Sequence, residues 1–312
     1  MLHIRITVPD HLCEAVKATL FQQEFAVNLA TYPNASLSPP GDVMTCDIPR
    51  EAASRLLEEL SAAGLATQGS IAVESIDTVL STASADAEKR APGFGSDAVV
   101  WEEVTARTSE DATLSGSFLV FMIVATLISG VAVILDSSIL VVGAMVVGPE
   151  FGPLAGLSVA LVQRKVQQAI QSITALVVGF PVGIALVMIG TWLLNQMGRL
   201  PNELDSAHRP FTGFIAKPDE FTIIVALLAG VVGMLSLTSA KSGPLIGVLV
   251  SVTTIPAAGN LGVAMAIGQW DDAFGSAVQL LVNILCLVIG SATTLVVQQE
   301  LQRRRTVRLE SG

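Results

Sequence analysis

The sequence is poor in charged side chains and in groups that could carry out catalysis. Only 14% of its 312 residues are charged, and it contains three cysteines and three histidines. The cysteines, Cys13, Cys46 and Cys286, follow no metal-binding or redox spacing. The sequence also has no nucleophile–base set, no metal-ligand cluster and no Gly-rich phosphate loop. These absences argue against an enzyme, and no motif in the sequence identifies a cofactor.

The net negative charge lies in one part of the chain. Residues 1–116 contain 17 acidic and 7 basic side chains, whereas residues 117–312 contain 10 of each. An acidic region repels phosphates, which argues against nucleic acid as a partner and against binding flat on anionic lipid. The first residues lack the basic and apolar regions of a signal peptide, so we expect this part in the cytoplasm.

Residues 1–80 have the alternating and helical patterns of a small α+β domain. The predicted elements are strands at 3–8, 26–32, 43–49 and 70–80, helices at 10–23 and 50–64, and a turn-rich stretch at 33–42. Asp10 is placed as an N-cap and Gly64 as a C-cap. The order β-α-β-β-α-β predicts a ferredoxin-like fold. That fold is compatible with a dimerising domain and with a ligand sensor.

Residues 81–116 are predicted to connect this domain to the membrane. The stretch 81–97 is small, polar and contains Gly and Pro, which is typical of a linker. In the stretch 97–111, Val100, Trp101 and Val104 group on one side, which predicts a short amphipathic helix at the membrane surface.

Residues 117–298 are predicted to form an all-α bundle of six membrane spans. Each apolar segment is near the roughly 20 residues that cross a bilayer. The segments run over 117–135, 137–162, 172–194, 221–240, 243–268 and 275–297. Basic residues lie between spans two and three, between four and five, and in the tail 299–312. The positive-inside rule therefore predicts the inner (plasma) membrane with both termini in the cytoplasm.

The two halves of the bundle, 117–194 and 221–297, resemble each other. LISGVAVIL near the start of the first resembles LLAGVVGML in the second, and an offset of 103 pairs Pro153 with Pro256. Because each half has three spans, the second must cross the membrane in the opposite direction, as in the 3+3 inverted repeats of secondary transporters. The alternative to a repeat is that Gly and Pro are frequent in closely packed membrane helices and make the two halves look alike.

The run GPEFGPLAG, 148–156, interrupts the second span. Pro149 and Pro153 remove backbone donors, and Gly148 and Gly152 allow close backbone approach or unwinding. An ionised Glu150 facing lipid would cost several kcal/mol. Glu150 could bind a cation or amine, carry a proton, or act as a structural group that caps the second half-helix.

The corresponding part of the second half offers neutral polar groups instead of an acid. The candidate pathway residues there are Ser251, Thr253, Thr254, Pro256 and Asn260, with Asn283 as the amide of the last span. Asp136 and Lys241 occupy equivalent hairpins and are interpreted as solvated turn charges.

The run SSILVVGAMVVGPEFGPLAGLSVAL resembles the hallmark segment of a prokaryotic membrane family known as domain of unknown function 389. The matching residues are Gly143, Ala144, Met145, Pro149, Gly152 and Pro153. The resemblance covers most of residues 115–297 and implies a small cytoplasmic domain ahead of the spans. Many members have an apolar residue where this chain has Glu150. The family name implies no activity.

Two functions remain open from the sequence. The first is a transporter or channel for a small solute or ion, with its site between spans two and five and a cytosolic domain that gates it. The second is a membrane-tethered metabolite or nucleotide sensor whose ferredoxin-like domain binds the ligand. The expected partners are the lipid bilayer, an unidentified small molecule and a second copy in a homodimer.

Overall fold

The computed structural model describes residues 1–76, 78–91, 98–201, 204–239 and 253–310. The described residues divide into two compact units. The sheet unit contains those of 1–104, together with 238–239 and 302–310. The helical unit contains those of 105–237 and 253–301.

The sheet unit contains one four-stranded antiparallel sheet in the order β2-β3-β1-β4. Its strands are β1 (Leu2–Pro9), β2 (Val27–Leu37), β3 (Pro40–Ile48) and β4 (Ser70–Ser75). Its first helices are α1 (Cys13–Gln22), α2 (Arg50–Ala62) and the short α3 (Leu65–Gln68). Strand β1 alternates as its sequence predicts: Leu2, Ile4, Ile6 and Val8 are buried in the core. The helix α2 closes this core with Ala53, Leu56, Leu57 and Leu60, which share one face.

Several local predictions for this unit need correction. Strand β2 continues through most of the predicted turn-rich stretch and ends at Leu37. It is an edge strand with little buried surface, so its sequence lacks the alternation that marks a half-buried strand. Asp10 is not an N-cap of α1, because it begins a 3-10 turn and the cap position is Leu12. Gly64 does follow α2 with a positive φ of 87°.

A helix occupies part of the predicted linker. Helix α4 spans Thr82–Arg90, and the Ser81 side chain accepts a hydrogen bond from the Ser84 amide at its start. A polar stretch can therefore still be helical when it carries a cap. Residues 92–97 lie outside the described part. A helix is present within the stretch 97–111, as predicted, and is α5 (Trp101–Asp111).

The helical unit contains long apolar helices. In chain order they are α6 (Gly116–Ile134), α7 (Ser138–Val147), α8 (Phe151–Gln163), α9 (Val166–Gln196), α10 (Glu220–Thr238), α11 (Thr254–Ile267) and α12 (Trp270–Glu310). Among the described residues, four of them are long and apolar enough to cross a membrane: α6, α9, α10 and α12. The pair α7 and α8, bent by 53°, counts as a fifth span if it crosses as one. The chain is therefore a multi-pass membrane protein.

The predicted fifth span appears in part. Helix α11 has 14 residues, fewer than the roughly 20 that cross a bilayer. The first part of that span, 243–252, lies outside the described residues, and Ser251 and Lys241 lie outside them as well.

The prolines act differently from the prediction. Helix α7 ends at Val147, so the chain breaks once, at residues 148–150. Pro153 does not add a second break, because it is the third residue of α8. Pro256 is likewise the third residue of α11. The first turn of a helix tolerates proline, since its amides have no partner within the helix.

Candidate functional site

The break between α7 and α8 contacts the start of α11. Glu150 is the residue before α8, and it is only 4% exposed. Its Oε1 accepts a hydrogen bond of 2.7 Å from the Thr254 hydroxyl, 104 residues further along the chain. Two predicted site residues from different halves of the bundle are therefore in direct contact.

Gly148 makes room for this contact. A Cβ atom at position 148 would collide with Oε2 of Glu150 and would lie 2.7 Å from Cγ1 of Ile255. The glycine therefore lets the carboxylate fold back against its own backbone while α11 packs beside it. Of the two alternatives for Gly148, close approach is the one that this geometry uses.

Two amides of α12 bind the residue that precedes α11. The Thr253 hydroxyl accepts hydrogen bonds from Gln279 Nε2 at 3.1 Å and from Asn283 Nδ2 at 2.9 Å. Both amide side chains are 2% exposed. Asn283 therefore joins Thr253 as a neighbour of the break. Sequence reasoning missed Gln279, although a glutamine inside an apolar segment was a readable signal.

Two oxygen atoms in this cluster remain without a hydrogen-bond donor. Within the described part of the chain, Glu150 Oε2 and Gln279 Oε1 are buried and accept no hydrogen bond. Glu150 forms no ion pair there either, and its side chain does not cap the amides of α8. The predicted capping of the second half-helix by Glu150 is therefore not observed, and the hydrogen bond that the structure does show for this carboxylate comes from Thr254.

Asn260 lies in a different cluster, six positions along α11 from Thr254, or about 9 Å along the helix axis. Its Oδ1 accepts a hydrogen bond of 2.7 Å from Arg209 Nη1, and its Nδ2 donates to Ser276 Oγ at 2.6 Å. Arg209 is 4% exposed and also contacts Asp272 Oδ2 at 3.3 Å. Asn260 thus holds a buried arginine, and the structure does not bring it to Glu150.

The segment that carries Arg209, residues 204–217, is called the strap. It contains two 3-10 turns, Ser206–His208 and Gly213–Ala216. Asp136 is not a solvated turn charge, because its carboxylate accepts hydrogen bonds from the Phe211 and Thr212 amides and the Thr212 hydroxyl. The Ser206 amide donates to Asp272. Hydrogen bonds thus connect the strap to the α6–α7 hairpin and to the start of α12.

Gly152 lies close to the end of α5. A Cβ atom at this position would lie 2.7 Å from Cβ of Asp111, in the part of α5 that belongs to the helical unit. Gly156, one turn further along α8, would similarly approach Ala112. Gln168 of α9 donates to the Thr108 hydroxyl at 3.1 Å. The glycines of α8 therefore serve close packing against the end of α5.

Comparison with known proteins covers the same region. The model of a family described as Domain of unknown function (DUF389) matches residues 145–289, which include the break, α11 and the α12 amides. An uncharacterised protein of Methanocaldococcus jannaschii is 26% identical over 195 residues, which are 62% of this chain and 58% of the relative. The chain thus spans less than two thirds of that relative's length. No solved structure matches the chain.

Proposed function

We propose a function from the site itself, because residues 145–289 match the model of a family whose description, Domain of unknown function (DUF389), names no activity. The protein is a transporter or channel for a small solute or an ion. Its site lies where the break between α7 and α8 meets the start of α11. The observation that carries this proposal is the buried Glu150 carboxylate, hydrogen-bonded to Thr254.

Helix positions support a 3+3 inverted repeat. Helices α10, α11 and α12 begin 104, 103 and 104 residues after α6, α8 and α9. The offset of 103 makes Glu150 and Thr253 equivalent, and each directly precedes its helix. In inverted-repeat transporters, substrate and ion sites lie at paired interrupted helices near the middle of the membrane. Six spans, with both termini in the cytoplasm of an inner membrane, are part of this proposal.

A gating role for the cytosolic domain rests on α5. The sheet order β2-β3-β1-β4 supports the ferredoxin-like assignment. The first turn of α5 belongs to the sheet unit, where Val100 joins the core and Arg50 pairs with Glu103 at 2.9 Å. The last turns belong to the helical unit, where Asp111 packs on Gly152 of α8. Because α5 has residues in both units, we include gating by the cytosolic domain in this proposal. We propose that two copies of the chain form the functional unit.

Flux through proteoliposomes tests the proposal. The full-length protein would be reconstituted and supplied with radiolabelled inorganic ions, amino acids and organic acids. We expect uptake of at least one of them above that of empty vesicles, and its loss in Glu150→Gln and Thr254→Val. Glu220→Gln is the matched control, because it removes an exposed carboxylate at the start of α10. Uptake equal to that of empty vesicles across the panel, or an unchanged Glu150→Gln variant, would contradict the proposal.

A further inference from the structure

The balance of charge around Glu150 indicates what the site binds. A carboxylate that is 4% exposed in an apolar helical unit needs a compensating positive charge or a proton. Within the described residues no basic side chain pairs with it. Arg209, the buried guanidinium of the same unit, is already engaged by Asn260 and Asp272. The compensating charge must therefore come from outside these side chains.

The unpaired atoms of the cluster are all acceptors. Glu150 Oε2 and Gln279 Oε1 both lack a donor among the described residues. Their side chains bind consecutive residues, because Glu150 accepts from Thr254 while Gln279 donates to Thr253. Acceptor oxygens without donors suit a cation and would repel an anion. A proton on Oε2 would also neutralise the carboxylate, so a proton and a cation compete for the same atom.

Backbone carbonyls at the break add to this acceptor set. Pro149 has no N–H to donate to the Met145 carbonyl, and Pro153 has none for the carbonyl of Pro149. Helix α7 ends at Val147, and the carbonyl end of a helix carries a partial negative charge that favours cations. The break therefore offers backbone carbonyls close in sequence to the Glu150 carboxylate.

We propose that this cluster is a binding site for a monovalent inorganic cation, for which protons compete at Glu150. The site comprises the Glu150 carboxylate, the Gln279 amide oxygen and the carbonyls at the end of α7. One carboxylate neutralises one positive charge, whereas Ca²⁺ sites usually draw on several carboxylates. The described residues contain no group of three or more His, Cys, Asp or Glu side chains that could hold a metal. The inference deepens the proposed function, on which its transport role rests, by naming the class of ion.

The test is a melting experiment on the full-length protein in detergent. NaCl replaces choline chloride at constant ionic strength, at about pH 8 and about pH 5.5, so that the two series differ in proton concentration. A ligand that binds only the folded state raises the melting temperature with its concentration. We expect Na⁺ to raise it at the higher pH and to raise it less at the lower pH, because protons occupy the carboxylate. Parallel series with LiCl and KCl would show which of the three ions raises the melting temperature most.

Variants separate the site from a general salt effect. Glu150→Gln should abolish the Na⁺-dependent shift, and Gln279→Leu should weaken the apparent Na⁺ affinity at least about tenfold. Glu220→Gln should keep the wild-type response. The proposal is overturned if Li⁺, Na⁺ and K⁺ all leave the wild-type melting temperature unchanged, if only pH matters, or if Glu150→Gln responds like wild type. Cation binding without flux in proteoliposomes would leave this site standing and would overturn transport. Flux without any cation-dependent shift in melting temperature would overturn the cation site and leave the transport proposal standing.

Discussion

Arg209 in the strap donates a hydrogen bond of 2.7 Å to Asn260 in the middle of α11. The guanidinium also contacts the Asp272 carboxylate at the start of α12. One buried side chain thus joins a loop to two helices of the second half of the bundle. Such a contact stabilises the fold only while its partners remain, because the loss of one partner leaves the others short of a hydrogen bond in a largely buried place.

Replacing Arg209 should therefore destabilise the protein strongly. Arg209→Gln leaves Asp272 without its guanidinium and weakens the bond to Asn260. Removing one member of a buried ion pair costs about 3 kcal/mol. Thermal melting in detergent would measure the loss, with Lys217→Gln in the same strap as control, because Lys217 is exposed. A melting temperature for Arg209→Gln equal to that of the control would show that the contact does not stabilise the fold.

Gly152 should tolerate no side chain, whereas Gly143 should tolerate alanine. At position 152 a Cβ meets Cβ and the carbonyl oxygen of Asp111, and this overpacking costs about 1–3 kcal/mol. At position 143, in α7, a Cβ has no neighbour within 4 Å among the described residues. Gly143→Ala should be neutral or stabilise by up to about 1 kcal/mol, because alanine favours the helix. The two variants differ only in position, so side-by-side melts give a direct comparison. Equal melting temperatures would argue against close packing of α5 on α8.

The pH dependence of the sheet unit should include a contribution from Asp42. The Asn34 amide, at 3.0 Å, and the Lys17 ammonium hold the pKa of this carboxyl below its usual range. A folded-state pKa below the unfolded value of about 3.9 stabilises the protein above that pH, and the stabilisation is lost as the pH falls through the folded value.

Asp42→Asn should remove this contribution. The wild-type protein should lose more stability than the variant on acidification from about pH 5 to about pH 3, across the range in which a carboxyl of this type titrates. Denaturant melts at a series of pH values would measure the difference. Glu24→Gln, at an exposed position, should follow the wild-type curve. If Asp42→Asn also follows it, the carboxylate has no role in acid stability.

Local chemistry explains which features the sequence predicts. The strands of the core alternate because one face of each is buried, and the position of Pro149 marks the break. Only the first part of the edge strand β2 is predicted, at 26–32, because both of its faces are largely exposed, and α4 is missed because its residues are polar. Helix α5 is predicted from its grouped apolar residues.

The candidate site is predictable only in part. Glu150 is conspicuous, because a carboxylate inside an apolar run is costly. Its partner Thr254 and the Gln279–Thr253 contact depend on how α8, α11 and α12 pack, which no local pattern encodes. Arg209 lies in a polar loop, where an arginine is unremarkable, and only tertiary packing buries it.

Gly148 should matter for the site more than for the fold. A Cβ at this position collides with Oε2 of Glu150, the end of a flexible side chain, and would lie 2.7 Å from Cγ1 of Ile255, so alanine moves the carboxylate away and shifts Ile255 at a cost of about 1–3 kcal/mol. Gly148→Ala should therefore remain folded but lose the Na⁺-dependent rise in melting temperature, with at least about a tenfold drop in apparent affinity. Gly190→Ala in α9 is the matched control, since a Cβ there has no neighbour within 4 Å among the described residues. Because both variants add one methyl group to an apolar helix or its end, a loss confined to Gly148→Ala would locate the cation at the carboxylate. An unchanged Na⁺ response in Gly148→Ala would mean that the position of Glu150 Oε2 does not govern cation binding.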